Sequence, residues 1–192
     1  MNLFSDFEQQ LAARKAAGLY RERRVLESPQ GARVRVEGRE LVNFCSNDYL
    51  GLANDPALIE AAVAGAQQWG VGSGASHLVS GHLAPHEQLE QELAAFVGAE
   101  RALFLSTGYM ANLAIVPALV GRDDAVFADK LNHASLIDAV QLSRAHSVRY
   151  PHADLAALET RLAASTAKRK LILTDAVFSM DGDVAPLPEL LA

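Results

Sequence analysis

A single cysteine, Cys45, leaves the 192-residue chain without any internal disulfide framework and fits a reducing compartment. Long apolar runs are missing too. The apolar stretches are short and broken by glycine, proline or charge, so no segment is expected to span a bilayer. The opening residues, Met1-Asn2-Leu3-Phe4-Ser5-Asp6, lack the basic start and unbroken apolar stretch of a secretory signal, and a cytosolic (cytoplasmic) location is the expectation. Basic charge is scarce: 17 Lys and Arg against 23 Asp and Glu give a net charge of −6. That balance argues against general nucleic-acid binding, which needs a basic face to neutralise phosphates. Low-complexity tracts and internal repeats are absent as well.

What is present is a chain that is half apolar, enough to rule out disorder and to fill one sizeable α/β core or the larger part of one. The first segment has the pattern of an amphipathic helix. Ser5 followed by Glu8 suggests a capping box, Phe4, Phe7 and Leu11 share one face, and Gly18 is a stop signal. Val34 and Val36 alternate with arginines, Glu37-Gly38 makes a turn, and Leu41-Val42 resumes, which predicts a short hairpin. Asn54-Asp55-Pro56 starts a helix that runs to about Trp69, a Gly-rich loop covers 70–81, and a second helix from about Pro85 is stopped by Gly98. Strands and helices then alternate. Strands are predicted at 102–105, 125–128, near Val148 and at 171–174; helices from Tyr109, from Ala134, over 155–162 and from Leu187 to Ala192. This order predicts an α/β fold with a mostly parallel sheet and helices on both faces, preceded by an N-terminal arm over 1–53. Because the last helix has only begun at Ala192, the fold is expected to be incomplete there.

In such sheets ligands bind at the carboxyl ends of the strands. Three predicted loops lie there. Ser106-Thr107-Gly108-Tyr109 turns a strand into a helix, where free N–H groups and the positive end of the helix dipole suit a phosphate, although a plain turn has the same spacing. Asn132-His133 precedes the next helix, where an imidazole could stack on a planar ring or simply serve the structure. Phe178-Ser179-Met180-Asp181-Gly182-Asp183 places a hydroxyl and two carboxylates at a strand end. Its Asp-Gly pair alone reads as a turn. Arg21-Glu22-Arg23-Arg24 reads either as a solvated helix end or as an anion-binding arginine. Other templates fail. There is no Gly-x-Ser-x-Gly elbow, Walker loop or calcium loop. Gly70-Val71-Gly72-Ser73-Gly74 follows a helix and does not match the dinucleotide fingerprint. His82 and His86 are separated by Pro85, which disturbs the helix that would align them, so no metal site is assigned.

Five ordered strings carry a resemblance. Asn43-Phe44-Cys45-Ser46-Asn47-Asp48-Tyr49-Leu50-Gly51-Leu52, Gly72-Ser73-Gly74-Ala75-Ser76-His77, Ser106-Thr107-Gly108-Tyr109-Met110-Ala111-Asn112, Leu131-Asn132-His133-Ala134-Ser135 and Val177-Phe178-Ser179-Met180-Asp181-Gly182-Asp183 cover almost the whole chain. Together they resemble the α-oxoamine synthase family of pyridoxal-phosphate (PLP) enzymes, fold type I. The resemblance implies PLP as cofactor, bound by Gly108, Tyr109, His133 and Ser179, with His133 over the ring and Ser179 at its phenolic oxygen. It implies substrate contacts from Arg21, His133 and Asn47. Tyr109 stands where the family often has another aromatic, and Ala176 where it usually has glycine.

The Ser46-to-Tyr49 string and Gly182-Asp183 with Ala185-Pro186-Leu187 resemble the members that condense L-alanine, with decarboxylation, onto a pimeloyl thioester of coenzyme A or acyl carrier protein in biotin synthesis. A glycine-using sibling and a non-catalytic half-fold binding protein are the alternatives. Family members are homodimers. The family also needs a lysine to anchor the cofactor, and none of Lys15, Lys130, Lys168 and Lys170 stands in its motif. The resemblance puts that lysine beyond Ala192, and no catalytic residue is assigned within the chain. The expectation is therefore that 54–192 is the first part of a larger PLP-binding domain, inactive by itself.

Overall fold

The computed structural model describes residues 3–191; Met1, Asn2 and Ala192 lie outside the described residues. The chain divides into two compact units, one ending at Gly81 and one beginning at His82.

The first unit opens with α1 (Leu3–Ala16). Ser5 is inside this helix and so is not its cap, as the expected capping box requires: a cap needs extended backbone, and Ser5 is already helical. Phe4, Phe7 and Leu11 remain exposed. The predicted hairpin is present, with β1 (Arg33–Val36) antiparallel to β2 (Arg39–Val42) and Val36 opposite Arg39. Glu37 and Gly38 both have positive φ, 51° and 70°, the turn whose twist matches that of the strands it joins. Val34 and Val36 face inward and the arginines outward. In α2 (Pro56–Trp69) the Asp55 carboxylate accepts the N–H groups of Ala57 and Leu58 at 2.8 and 3.3 Å, and proline fills the first turn, where its missing N–H costs nothing. The glycine-rich stretch beyond it contains one short turn of π-helix, His77–Gly81.

The second unit begins with α3 (Ala84–Val97), ended by Gly98 in the left-handed conformation. Residues 102–105 were expected to form a strand and do not. A strand exists only through its ladder, and no described strand pairs with this segment; the Phe104 N–H donates instead to the Glu90 carboxylate at 2.9 Å. Then come α4 (Gly108–Leu119), β3 (Ala125–Asp129), α5 (Ala134–Ser143), β4 (His146–Tyr150), α6 (Leu155–Ala164), β5 (Lys170–Leu173) and α7 (Leu187–Leu190). The helix expected from Leu187 to Ala192 is thus described only as far as Leu190, with Leu191 at its C-cap, and the expectations that rest on Ala192 fall outside the described residues. The three strands form a parallel sheet in the order β4-β3-β5.

The central strand β3 is buried along its whole length, as a strand covered on both faces must be. Its alternating side chains fill two cores. Val126 and Ala128 pack with Val116 of α4, Val120 just past its end, and Ala139 and Val140 of α5. Ala125 and Phe127 pack on the opposite face with Leu158 of α6, Tyr150 and, at the margin, Leu190 of α7. The chain therefore leaves β3 toward one face, into α5, and leaves β5 toward the other, into α7. Between these diverging exits a crevice opens at the carboxyl edge of the sheet.

Candidate active site

A cavity of about 560 Å³ occupies that crevice, lined by Asn112, Asn132, His133, Asp175, Phe178, Ser179, Asp181 and neighbours. Its volume lies within the range that holds a small-molecule ligand. Its floor is pinned by one side chain. Buried Asn132 donates through its amide to the Leu173 carbonyl at 2.8 Å and accepts the Asp175 N–H at 3.2 Å, tying the end of β3 to the end of β5. The Asp175 carboxylate accepts the His133 N–H at 2.7 Å. His133 is thus held by its backbone, while its ring is free to be oriented by α5.

That orientation comes from Ser135. The Ser135 N–H donates to His133 Nδ1 at 3.2 Å, and its hydroxyl lies 2.7 Å from the same nitrogen. An N–H can only donate, so Nδ1 accepts and the neutral ring carries its proton on Nε2. Asn112 of α4 donates to the Ser135 hydroxyl at 2.8 Å, extending the chain of hydrogen bonds to a second helix. Nε2 has no partner among the described residues, which leaves a donor for a ligand.

The predicted phosphate turn stands beside this group. The Thr107 hydroxyl accepts the Met110 N–H at 3.1 Å and caps α4. The N–H groups of Gly108 and Tyr109 have no protein acceptor among the described residues. A Cβ built on Gly108 would meet nothing within 4 Å, so open space adjoins Gly108. The Tyr109 ring lies edge-on to His133, centroids 6.5 Å apart, and its hydroxyl donates to Asp138 of α5, whose carboxylate holds the phenol in its protonated form and raises its pKa. The structure thus brings His133 and Ser179 onto one cavity and sets Tyr109 against His133; Gly108 begins the helix that reaches the cavity through Asn112, without lining it. Arg21 and Asn47 belong to the first unit, where Arg21 is exposed and borders a hollow with Leu11, Arg14 and Tyr20.

One cluster escaped the sequence reading. His152, two residues past β4, lies between two carboxylates: Nδ1 is 3.1 Å from Asp129 and Nε2 is 2.7 Å from Asp183. Hydrogen bonding to Asp129 first, then to Asp183, raises its pKa above the ordinary histidine value. The signal was available, because a polar residue immediately beyond a parallel strand is at the functional edge of the sheet. His82 and His86, unassigned in sequence, have local duties: His82 pairs with Glu87 at 3.2 Å and His86 Nδ1 accepts the Leu83 N–H at 3.0 Å. No described helix is long and apolar enough to cross a membrane.

With that geometry in place, the comparisons are specific. The 8-amino-7-oxononanoate synthase of Herminiimonas arsenicoxydans is 72% identical over 182 residues, covering 95% of this chain and 47% of that protein. The synthase of the same name from Nitrosomonas eutropha is 63% identical over 190 residues, 99% and 49% of the two chains. The chain spans about half the length of the curated relatives it matches. Among solved structures, a serine palmitoyltransferase from S. paucimobilis with a PLP–myriocin ligand superposes with a TM-score of 0.91 at 31% identity, covering 100% of this chain and 50% of that one. An 8-amino-7-oxononanoate synthase from Francisella tularensis matches with a TM-score of 0.65 at 37% identity, over 77% of this chain and 40% of that one. The fold is that of the PLP-dependent fold type I enzymes, as the family resemblance implied. The profile of aminotransferase class I and II matches residues 39–192, and the chain belongs to that family.

Proposed function

We propose that the cavity between the ends of β3 and β5 binds pyridoxal phosphate, and that the chain serves a decarboxylating condensation of L-alanine with a pimeloyl thioester, carried by coenzyme A or acyl carrier protein, in biotin synthesis. The observation that carries this reading is that His133 and Ser179, from two different strand ends, border one cavity. The residues present fit the cofactor. The unpartnered N–H groups of Gly108 and Tyr109, with open space beside Gly108, suit a phosphate. The Ser179 hydroxyl suits the phenolic oxygen, and the His133 ring, fixed by Ser135, suits the face of a planar heterocycle.

Pyridoxal phosphate supplies an electron sink for the carbanion formed at an amino acid's α-carbon. The protein's share is placement. His133 presents its Nε2 proton to the cofactor and substrate, and the Asn112–Ser135 hydrogen bonds keep that tautomer and ring angle. Arg21 is assigned to the substrate carboxylate, and Asn47 to a second substrate contact. Among the described residues no lysine lines the cavity, so covalent anchoring is assigned to none of them. A homodimer and a cytoplasmic location belong to the same proposal.

The test is a condensation assay of the full-length protein with L-alanine or glycine against pimeloyl and acetyl thioesters. Decarboxylation with the alanine–pimeloyl pair, well above the glycine–acetyl pair, is the expected result. Preference for glycine would move the protein to the sibling synthases, and turnover with neither pair would refute the catalytic reading.

A further inference from the structure

The loop that carries Ser179 has little to hold it. Its base is closed by Val177 bridging Val184, by the Ala185 N–H donating to the Ala176 carbonyl at 3.0 Å, and by the Phe178 N–H donating to the Asp183 carbonyl at 2.9 Å. Gly182, at φ 74°, closes the tip by donating to the Phe178 carbonyl at 2.8 Å. Ser179, Met180 and Asp181 are exposed. These bonds shape the turn without fixing it to the sheet.

Apart from the burial of Phe178 and Ala185, a polar attachment to the sheet comes from His152. Asp129, the last residue of β3 and 2% exposed, accepts the N–H groups of Leu131 and Ala153 at 2.8 and 2.9 Å as well as the His152 Nδ1 proton. On the other side of the ring, Nε2 meets Asp183 of the turn. The ring also packs edge-on against buried Phe178, centroids 4.4 Å apart. We propose that His152 is a positioning residue: bridging Asp129 to Asp183, it locks the Val177–Val184 turn to the carboxyl edge of the sheet and so sets Ser179 on the rim of the cavity. The proposal rests on the cofactor reading only for what Ser179 is placed to do.

The bridge has a definite protonation state. Ionised carboxylates only accept, so both ring nitrogens must donate, and only the imidazolium has two N–H groups. Among the described residues, the charged groups acting on the ring are Asp129 from β3 and Asp183 from the turn; the Tyr150 phenol at the end of β4 is raised in pKa by burial and then by Asp129, and stays neutral. The second Asp183 oxygen is buried and has no hydrogen-bond partner among the described residues, so among them only the His152 ring bonds this carboxylate through its side-chain oxygens. Because the folded pKa lies above the unfolded one, the bridge is complete below about pH 6.5, the unperturbed value, and is lost as pH rises through the folded value.

The test is amide hydrogen exchange by NMR on the full chain, with and without added pyridoxal phosphate, comparing Phe178, Gly182 and Ala185 with Phe127 and Ala128 of β3. In the wild type, protection of the turn is expected to fall several-fold as pH rises through the His152 titration, while β3 stays protected. His152→Phe should show low turn protection at every pH with no step. Asp183→Asn keeps an acceptor and removes a charge, so its step should move to lower pH; it also serves if the first variant does not fold. No step in the wild type, a step that survives in His152→Phe, or a loss shared equally by β3 would overturn the proposal. Failure to bind pyridoxal phosphate with the step intact would count against the cofactor reading alone.

Discussion

The two ends of β3 hold two buried carboxylates with opposite characters. At the amino end Asp124, 3% exposed, is closed upon itself: it accepts the Gly121 N–H at 2.9 Å and the Arg169 N–H at 3.2 Å, and one of its oxygens lies 3.2 Å from the Arg169 guanidinium. At the carboxyl end Asp129 is as deeply buried, yet its bonds lead outward, through His152 to Asp183 and the turn that borders a cavity. The first arrangement satisfies a charge and stops there. The second couples a charge to groups that still have donors and acceptors to offer. Burial of a polar residue is common to both; what separates structure from site is where the hydrogen bonds go next.

The largest way to break this comparison is to remove what both ends share. Phe127, fully buried in the middle of β3, should cost about 3–5 kcal/mol on truncation to alanine, measured by urea unfolding, with both ends lost together. Asp124→Ala should separate them. It leaves the Gly121 N–H and the Arg169 guanidinium without their acceptor and is expected to lower the thermal midpoint by roughly 5 °C. The Gly121 N–H, then Arg169, holds the Asp124 carboxyl below the usual carboxylate range. Its contribution is therefore present at neutral pH and lost as pH falls below about 4, through the folded value. In Asp124→Ala that part of the acid dependence should disappear, with ligand binding at the other edge unchanged. Ser179→Ala is the smallest change in stability, within about 0.5 kcal/mol for an exposed hydroxyl. Its effect belongs in binding.

The elements around this contrast were legible in the sequence, for a physical reason, although the contrast itself was not. β3, α5 and α6 are written in local patterns, an apolar run followed by helices, and the structure adds that His133 and Asp154 cap those helices. The loops at the strand ends were legible because a parallel sheet has only one edge where ligands gather. Residues 102–105 misled because an apolar tetrapeptide specifies a strand only if a neighbour supplies a ladder, and periodicity says nothing of neighbours. Ser5 misled because a capping signature also occurs inside a helix. His152 escaped because its meaning depends on Asp129 and Asp183, 23 and 31 residues away, which meet it only once the sheet has formed.

The central claim is that His133 and Ser179 serve one planar, phosphorylated ligand, and equilibrium binding of pyridoxal phosphate to the full chain tests it most directly. The account predicts saturable binding by the wild type and a Kd raised about tenfold in both His133→Ala and Ser179→Ala, the loss of one hydrogen bond each. Binding that does not saturate, or that both substitutions leave unchanged, would contradict it.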